Sequence, residues 1–169
     1  ESGRVVEYLY DGSNVVLERS NSGVTSILSG LDVDQRFARD VEGGRAYFSV
    51  DHLGSTRALT NGLGEELVAY DYDPYGGSVA SSSQIENAYQ FTGRERDDTG
   101  FYYYRARYYD PAMGRFISED PIGMAAGLNT YAYVNGKPLS FTDPSGLFEV
   151  YAYGTRGGGV GNEWQYVIE

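Results

Sequence analysis

The sequence predicts an all-β protein built from repeated antiparallel hairpins, and three observations carry that expectation. Among its 169 residues are 17 Tyr and 23 Gly, so strand formers and turn formers are abundant together. Short apolar runs are punctuated by Asp-Gly, Asn-Gly and Asp-Pro-x-Gly, the chemistry that closes hairpins and type I turns. A degenerate unit, Tyr-x-Tyr with Asp or Gly close behind, recurs as YLYDG at 8, YDYDPYG at 70, YAYVNG at 131 and YAYG at 151. A chain of this length buries about two-thirds of the surface its unfolded form exposes, enough for a real core.

Taken in order, residues 4–10 and 14–18 are β-rich runs joined by Asp11-Gly12-Ser13, a hairpin ended by Asn21-Ser22-Gly23. Residues 24–41 carry charges at Asp32, Asp34, Arg36, Arg39 and Asp40 among the scattered anchors Leu31, Val33 and Phe37, and read as mostly loop with a weak strand. RAYFSVD from Arg45 and TRALT after the His52-Leu53-Gly54-Ser55 turn read as strands. Residues 66–72 alternate Leu67, Ala69 and Asp71 against Val68, Tyr70 and Tyr72, so one face is clearly the more apolar. Asp73-Pro74-Tyr75-Gly76 stops that strand, and Ser81-Ser82-Ser83 reads as a short polar loop. Residues 88–92 and 101–109 are expected as antiparallel strands around Asp97-Asp98-Thr99-Gly100. The second would put Tyr102, Tyr104, Ala106 and Tyr108 on one face and Tyr103, Arg105, Arg107 and Tyr109 on the other. Two Arg among Tyr rings predict either cation–π contacts or a solvated face with Arg stems over aromatic rings.

Residues 120–147, DPIGMAAGLNTYAYVNGKPLSFTDPSGL, open on one Asp-Pro-x-Gly element and close on another. Asp, Pro and Gly at these positions suit two ordinary β-turns. Two Asp brought together also suit hydrolysis, because a close carboxylate pair sharing one proton supplies both a base for water and an acid for the leaving amine. An isolated Asp, with an ordinary pKa near 3.9, does neither well at neutral pH. His52 reads as a hydrogen-bonded turn residue. Nothing in spacing supports a triad with Ser118 or Ser145, and Gly157-Gly158-Gly159 lacks the Lys of a phosphate loop.

Composition narrows the function classes. With 13 Lys and Arg against 24 Asp and Glu, the net charge of −11 repels phosphate backbones and anionic headgroups, so neither nucleic acid nor a membrane surface is an expected partner. Without Cys there is no disulfide, thiolate metal site or Cys nucleophile, and the single His builds no multi-His centre; no metal or cofactor is expected. No apolar run approaches the roughly 20 residues of a membrane span, and ESGRVVEYLY lacks a signal peptide's basic and apolar regions. A start at Glu1 rather than Met is what a piece of a longer protein would show.

DHLGSTRALT at 51, FTGRERDDTGFYYYRARYYDPAMGRFISEDPIG at 91 and DPSGL at 143 together resemble the Rhs-repeat-associated core. This is the C-terminal part of Rhs and YD-repeat proteins, related to the C components of Tc toxin complexes and more distantly to teneurins. The resemblance spans 45–147, flanked by YD-like strands in 1–44 and a short tail in 148–169. It implies a strip of β-hairpins that spirals into a hollow shell around a C-terminal cargo, and a single self-cleavage behind DPxGL by an aspartyl-protease-like pair. On this chain the pair falls on Asp120 and Asp143 and the cut between Leu147 and Phe148. Pro121, Gly123, Pro144 and Gly146 shape the turns, and Arg115 falls on a motif Arg near the site.

Full shells use many more repeats than this chain holds, so a terminal fragment or reduced shell is expected. The tail reads as two strands across a Gly-rich turn, too short for a toxin domain. The implied partners are the chain's own tail, the rest of a longer Rhs chain or a secretion-apparatus component, and the implied location is secreted or delivered from a bacterial cell. The alternative is a non-catalytic scaffold or adhesion module binding glycan or a partner protein.

Overall fold

Tight turns joining short strands give the chain a simple up-and-down order. The computed structural model describes residues 5–21, 23–147 and 151–152. Its larger sheet runs β1 (Val6–Asp11), β2 (Asn14–Ser20), β3 (Gly23–Ser29), β4 (Arg36–Val41), β5 (Gly44–Val50), β6 (Thr56–Thr60), β7 (Glu66–Tyr72) and β8 (Ser78–Ser83). Each strand pairs antiparallel with the next, and the sheet is open, with β1 and β8 at its edges. One face carries a buried apolar row of Val15, Ile27, Ala46, Leu59 and Val68, from β2, β3, β5, β6 and β7, with Arg39 of β4 set between Ile27 and Ala46. Each such burial contributes up to about 1.5–3 kcal/mol for the larger side chains.

Four turns share one geometry. Asp51, Asn61, Asp73 and Asp97 each accept, through Oδ1, the amide N–H two and four residues on, at 2.8–3.2 Å. In each, the Gly three residues on donates to the backbone carbonyl of the Asp or Asn at 3.0 Å. This is the Asx-turn that these residue types favour. The Gly takes positive φ, from 81° at Gly54 to 89° at Gly100, where a Cβ would be strained.

Several expectations are corrected. Residues 24–41 are not mostly loop: β3 and β4 are full members of the sheet, paired Ile27 with Arg39 and Leu28 with Ala38. Charges are compatible with these strands because their side chains reach partners, as Arg39 Nη2 does at Glu18 Oε2, 3.1 Å. Ser81-Ser82-Ser83 belongs to β8, with Ser83 opposite Val68. Residues 88–92 make only a bridge from Tyr89 to Glu95 and a 3-10 turn at Phe91–Gly93. The alternation in β7 is as expected, with Val68 and Tyr70 buried. The sheet continues across the turn at Gly43 and Gly44, where Val41 pairs with Gly44.

A second sheet, ordered β12-β11-β10-β9, comprises β9 (Glu95–Arg96), β10 (Tyr102–Tyr104), β11 (Arg107–Asp110) and β12 (Arg115–Phe116). Residues 101–109 are therefore a hairpin rather than one strand. The chain reverses at Arg105-Ala106, and Tyr104 pairs with Arg107. The reversal changes the facing: Tyr102, Tyr104, Arg107 and Tyr109 are buried together, while Tyr103 and Tyr108 are exposed. Phe91, Tyr102, Tyr104, Tyr109, Phe116, Tyr133 and Val134 form the main aromatic core. Tyr109 Oη donates to the Tyr75 carbonyl at 2.7 Å and Tyr102 Oη to the Gly76 carbonyl at 3.0 Å, which fastens this sheet to the β7–β8 turn.

The stretch from Asp120 to Leu147 returns not by a hairpin but through 3-10 turns at Gly123–Ala126 and Val134–Gly136 and the short β13 (Phe141–Thr142). β14 (Tyr151–Ala152) pairs with β13, Phe141 opposite Ala152 and Thr142 opposite Tyr151. The remainder of the expected tail hairpin lies outside the described residues. Among the described residues no helix is long and apolar enough to cross a membrane.

Candidate functional site

Both Asp-Pro-x-Gly elements are turns, and in both the carboxylate divides its labour. Gly123 N donates to the Asp120 carbonyl at 2.9 Å, and Asp120 Oδ1 accepts Ile122 N at 3.0 Å. Asp143 Oδ1 accepts Gly146 N at 2.8 Å, Leu147 N at 3.2 Å and Ser145 Oγ at 3.2 Å. In each case Oδ1 holds the turn and Oδ2 points inward. Asp120 is 4% exposed and Asp143 1% exposed, burial that carboxylates reach only with partners.

The partner is Arg107, 3% exposed on β11. Its Nη2 lies 2.8 Å from Asp120 Oδ2 and 3.4 Å from Asp143 Oδ2, so a single nitrogen joins the two carboxylates. The contact with Asp143 is a hydrogen bond. The closer contact with Asp120 is an ion pair off the N–H direction, and among the described residues Asp120 Oδ2 accepts no hydrogen bond. Nε donates to the Gly146 carbonyl at 2.6 Å and Nη1 to the Thr130 carbonyl at 3.0 Å. The guanidinium stacks over Phe116, 3.6 Å from the ring centroid. Burial pushes the Arg107 pKa down, and the Asp120 and Asp143 charges oppose that. The site is thus a buried carboxylate–guanidinium–carboxylate cluster set over the Phe116 ring.

The chain leading to the expected cut is held by its backbone. Three successive residues of the β10–β11 turn grip three successive carbonyls: Arg105 Nη1 donates to Pro144, Ala106 N to Ser145 at 3.2 Å, and Arg107 Nε to Gly146. Gly146 is required at its place. Its φ is 69°, and a Cβ there would lie 2.1 Å from the Tyr104 carbonyl oxygen. Leu147 N donates to Asp143 Oδ1 and Ser145 Oγ, both at 3.2 Å. Phe148 lies outside the described residues.

Asp120, Asp143, Pro144, Gly146 and Leu147 are therefore brought to one place, with Pro121 and Gly123 on the Asp120 turn. Arg115 is not part of it. On β12 it is exposed, with its guanidinium 5.7 Å from the Tyr131 ring centroid, and the supporting cation is Arg107 instead. Sequence reasoning missed Arg107 because the unrecognised turn at Arg105-Ala106 put it on the wrong face. His52 Nε2 reaches the Leu139 carbonyl at 3.1 Å as an exposed turn residue. Ser118 is exposed, and Ser145 Oγ serves the Asp143 turn. No group of three His, Cys, Asp or Glu side chains among the described residues suits a metal ion.

No family model matches the chain. It is 44% identical over 106 residues to toxin subunit YenC2 of Yersinia entomophaga, covering 59% of this chain and 11% of YenC2. To the tRNA3(Ser)-specific nuclease WapA of Bacillus spizizenii it is 33% identical over 156 residues, 86% of this chain and 7% of WapA. Among solved structures, TcdB2-TccC3-TEV superposes with a TM-score of 0.67 at 27% identity, over 85% of this chain and 8% of that one. The chain spans only a small part of each of these relatives. By sequence and by fold, it belongs to the Rhs/YD-repeat proteins, as an Rhs-type β domain related to the Tc toxin subunits.

Proposed function

We propose that this domain cuts its own chain once, between Leu147 and Phe148, with Asp120 and Asp143 as the carboxylate pair and Arg107 as their shared cation. The observation that carries this reading is one nitrogen, Arg107 Nη2, in contact with both buried carboxylates while the same side chain holds the Gly146 carbonyl. In the reaction, the water oxygen adds to the Leu147 carbonyl carbon as one carboxylate takes a water proton. The other carboxyl, carrying a proton, donates it toward the departing side. The C–N bond to Phe148 then breaks, leaving a carboxylate on Leu147 and an amine on Phe148.

The demand on catalysis is small. A half-life of about an hour corresponds to a barrier of roughly 22 kcal/mol, against about 16 for turnover near 10 per second. Much of the entropic cost of bringing the bond to the acids is met in folding, through the three gripped carbonyls. Intact-mass measurement of freshly made wild-type protein is expected to give two pieces, and Asp120→Asn and Asp143→Asn one uncut chain. A wild-type chain that stays whole at neutral pH would sink the proposal.

In this reading the domain is part of a longer YD-repeat chain, exported from a bacterial cell, in which further strands continue the sheet beyond β1. Units 45–147 and 148–169 are then core and product, and the tail stays in place through the β13–β14 pairing. Loss of the tail during native gel filtration would contradict retention.

One observation favours a second reading. Arg107 offsets both negative charges, and Oδ1 of each Asp already serves a turn, as a purely structural clasp would have it. The domain is then a non-catalytic scaffold or adhesion module for glycan or protein. A break that persists in both Asn variants, assigning it to a contaminating protease, would favour that reading.

A further inference from the structure

Arg105 occupies the first place of the β10–β11 turn with φ of 57°, a left-handed state that non-Gly residues rarely adopt. Its side chain supplies a reason for keeping Arg there. Nη1 donates to the Pro144 carbonyl and, at 3.2 Å, to Asp34 Oδ2. Nη2 donates to Asp34 Oδ1 and to the Ser13 carbonyl, both at 2.9 Å. One guanidinium therefore ties three places together: the β1–β2 turn, the loop between β3 and β4, and the segment that leads to Leu147. Asp34 is itself fixed in that loop, with its side chain buried. Its Oδ2 also receives Arg94 Nη1 at 2.5 Å, and its backbone N donates to Asn14 Oδ1 at 2.7 Å. Residues far apart in sequence thus set the angle of a side chain that grips the backbone just ahead of the cut.

We propose that Arg105 is a positioning residue for the cleavage, locked by Asp34, so that the Leu147–Phe148 bond is presented only once the β3–β4 loop has docked on the β10–β11 turn. This rests on the self-cleavage reading and adds a condition to it. The N-terminal strands contribute no reacting group, yet the cut waits for them. Cleavage then reports that the β1–β2 turn and the β3–β4 loop are in place, and a chain caught half-folded keeps its tail attached.

The test follows cleavage half-time by intact mass after cell-free synthesis of the full chain, in wild type, Arg105→Gly, Asp34→Asn and the double variant. Gly suits a φ of 57° and Asn tolerates the 61° of Asp34, so both replacements leave the backbone conformations accessible. Arg105→Gly is expected to slow the cut roughly ten- to hundredfold, as small misplacements of a reacting bond do. Asp34→Asn should slow it less, and the double variant no more than Arg105→Gly alone, because Asp34 acts through Arg105. Added ethylguanidinium should restore speed to Arg105→Gly, a response that lost stability alone would not give. Wild-type speed in Arg105→Gly with an unchanged near-UV circular dichroism spectrum overturns the proposal. So does slowing that ethylguanidinium fails to relieve, which makes the role merely structural. A wild-type chain that never cuts overturns the self-cleavage reading instead, so the two failures remain distinguishable.

Discussion

At the scale of single residues, the site depends on which oxygen of a carboxylate is already occupied. Asp120 and Asp143 spend Oδ1 on backbone amides and turn Oδ2 toward Arg107. Asn retains a carbonyl oxygen for the turn but not the charge, so Asp→Asn separates chemistry from folding at both positions. Arg107→Ala is different, because it strands two buried carboxylates. A loss of about 3–5 kcal/mol in urea unfolding is expected, together with an uncut chain. Arg107→Lys keeps charge but not the fork that reaches Gly146, Thr130 and both acids at once, so a stable yet slowly cut protein is expected by intact mass. Gly146→Ala should both destabilise the domain and stop the cut, since its Cβ has nowhere to go beside the Tyr104 carbonyl. A normally cut, normally stable Gly146→Ala would show that the DPSGL turn moves before reaction.

At the scale of elements, the hairpins were legible wherever turn chemistry was explicit. β5, β6 and β7 follow from period-two alternation between Asp, Asn and Gly turns, and the Asp120 and Asp143 turns from Asp-Pro-x-Gly. The β10–β11 reversal was not legible, because Arg105-Ala106 contains neither Gly nor Pro. Arg105 takes its positive φ for contacts with Asp34, Ser13 and Pro144 that no local pattern encodes. Misplacing that turn by itself inverts the facing of Arg107 and Tyr109, so the cation of the site was lost with it. β3 and β4 were obscured for a related reason, their charged residues being paired across distant segments. Tyr109→Phe removes the hydroxyl that fastens β11 to the Tyr75 carbonyl. About 1 kcal/mol of stability should go with it, by urea titration, because the part-buried carbonyl loses its donor while the ring stays packed.

At the scale of the whole molecule, the core is aromatic and its hydroxyls are buried with it. Burial pushes the Tyr104 pKa well above the ordinary 10.0, and burial likewise raises Tyr72, Tyr89, Tyr102, Tyr109 and Tyr133. The unfolded chain releases these protons near the ordinary value while the folded one retains them. Their stabilising contribution is therefore whole below pH 10.0 and is lost as pH rises from there toward the folded-state values. Alkaline titration should accordingly show phenolate absorbance of the core tyrosines rising in one cooperative step with loss of the β signal. Gradual ionisation with the sheet intact would mean that water reaches the aromatic core.

The Asx turns recur at Asp51, Asp73 and Asp97, each with Oδ1 committed to backbone amides just as at Asp120 and Asp143. A protein built by copying this hairpin thus copies a carboxylate that folding only half employs. Asp120 and Asp143 use the same chemistry outside any hairpin, and brought together over a shared guanidinium they make a candidate reaction centre from turns alone. A chain that turns its corners with Asp thereby carries many carboxylates, and which of them meet is decided by where the fold sets the turns.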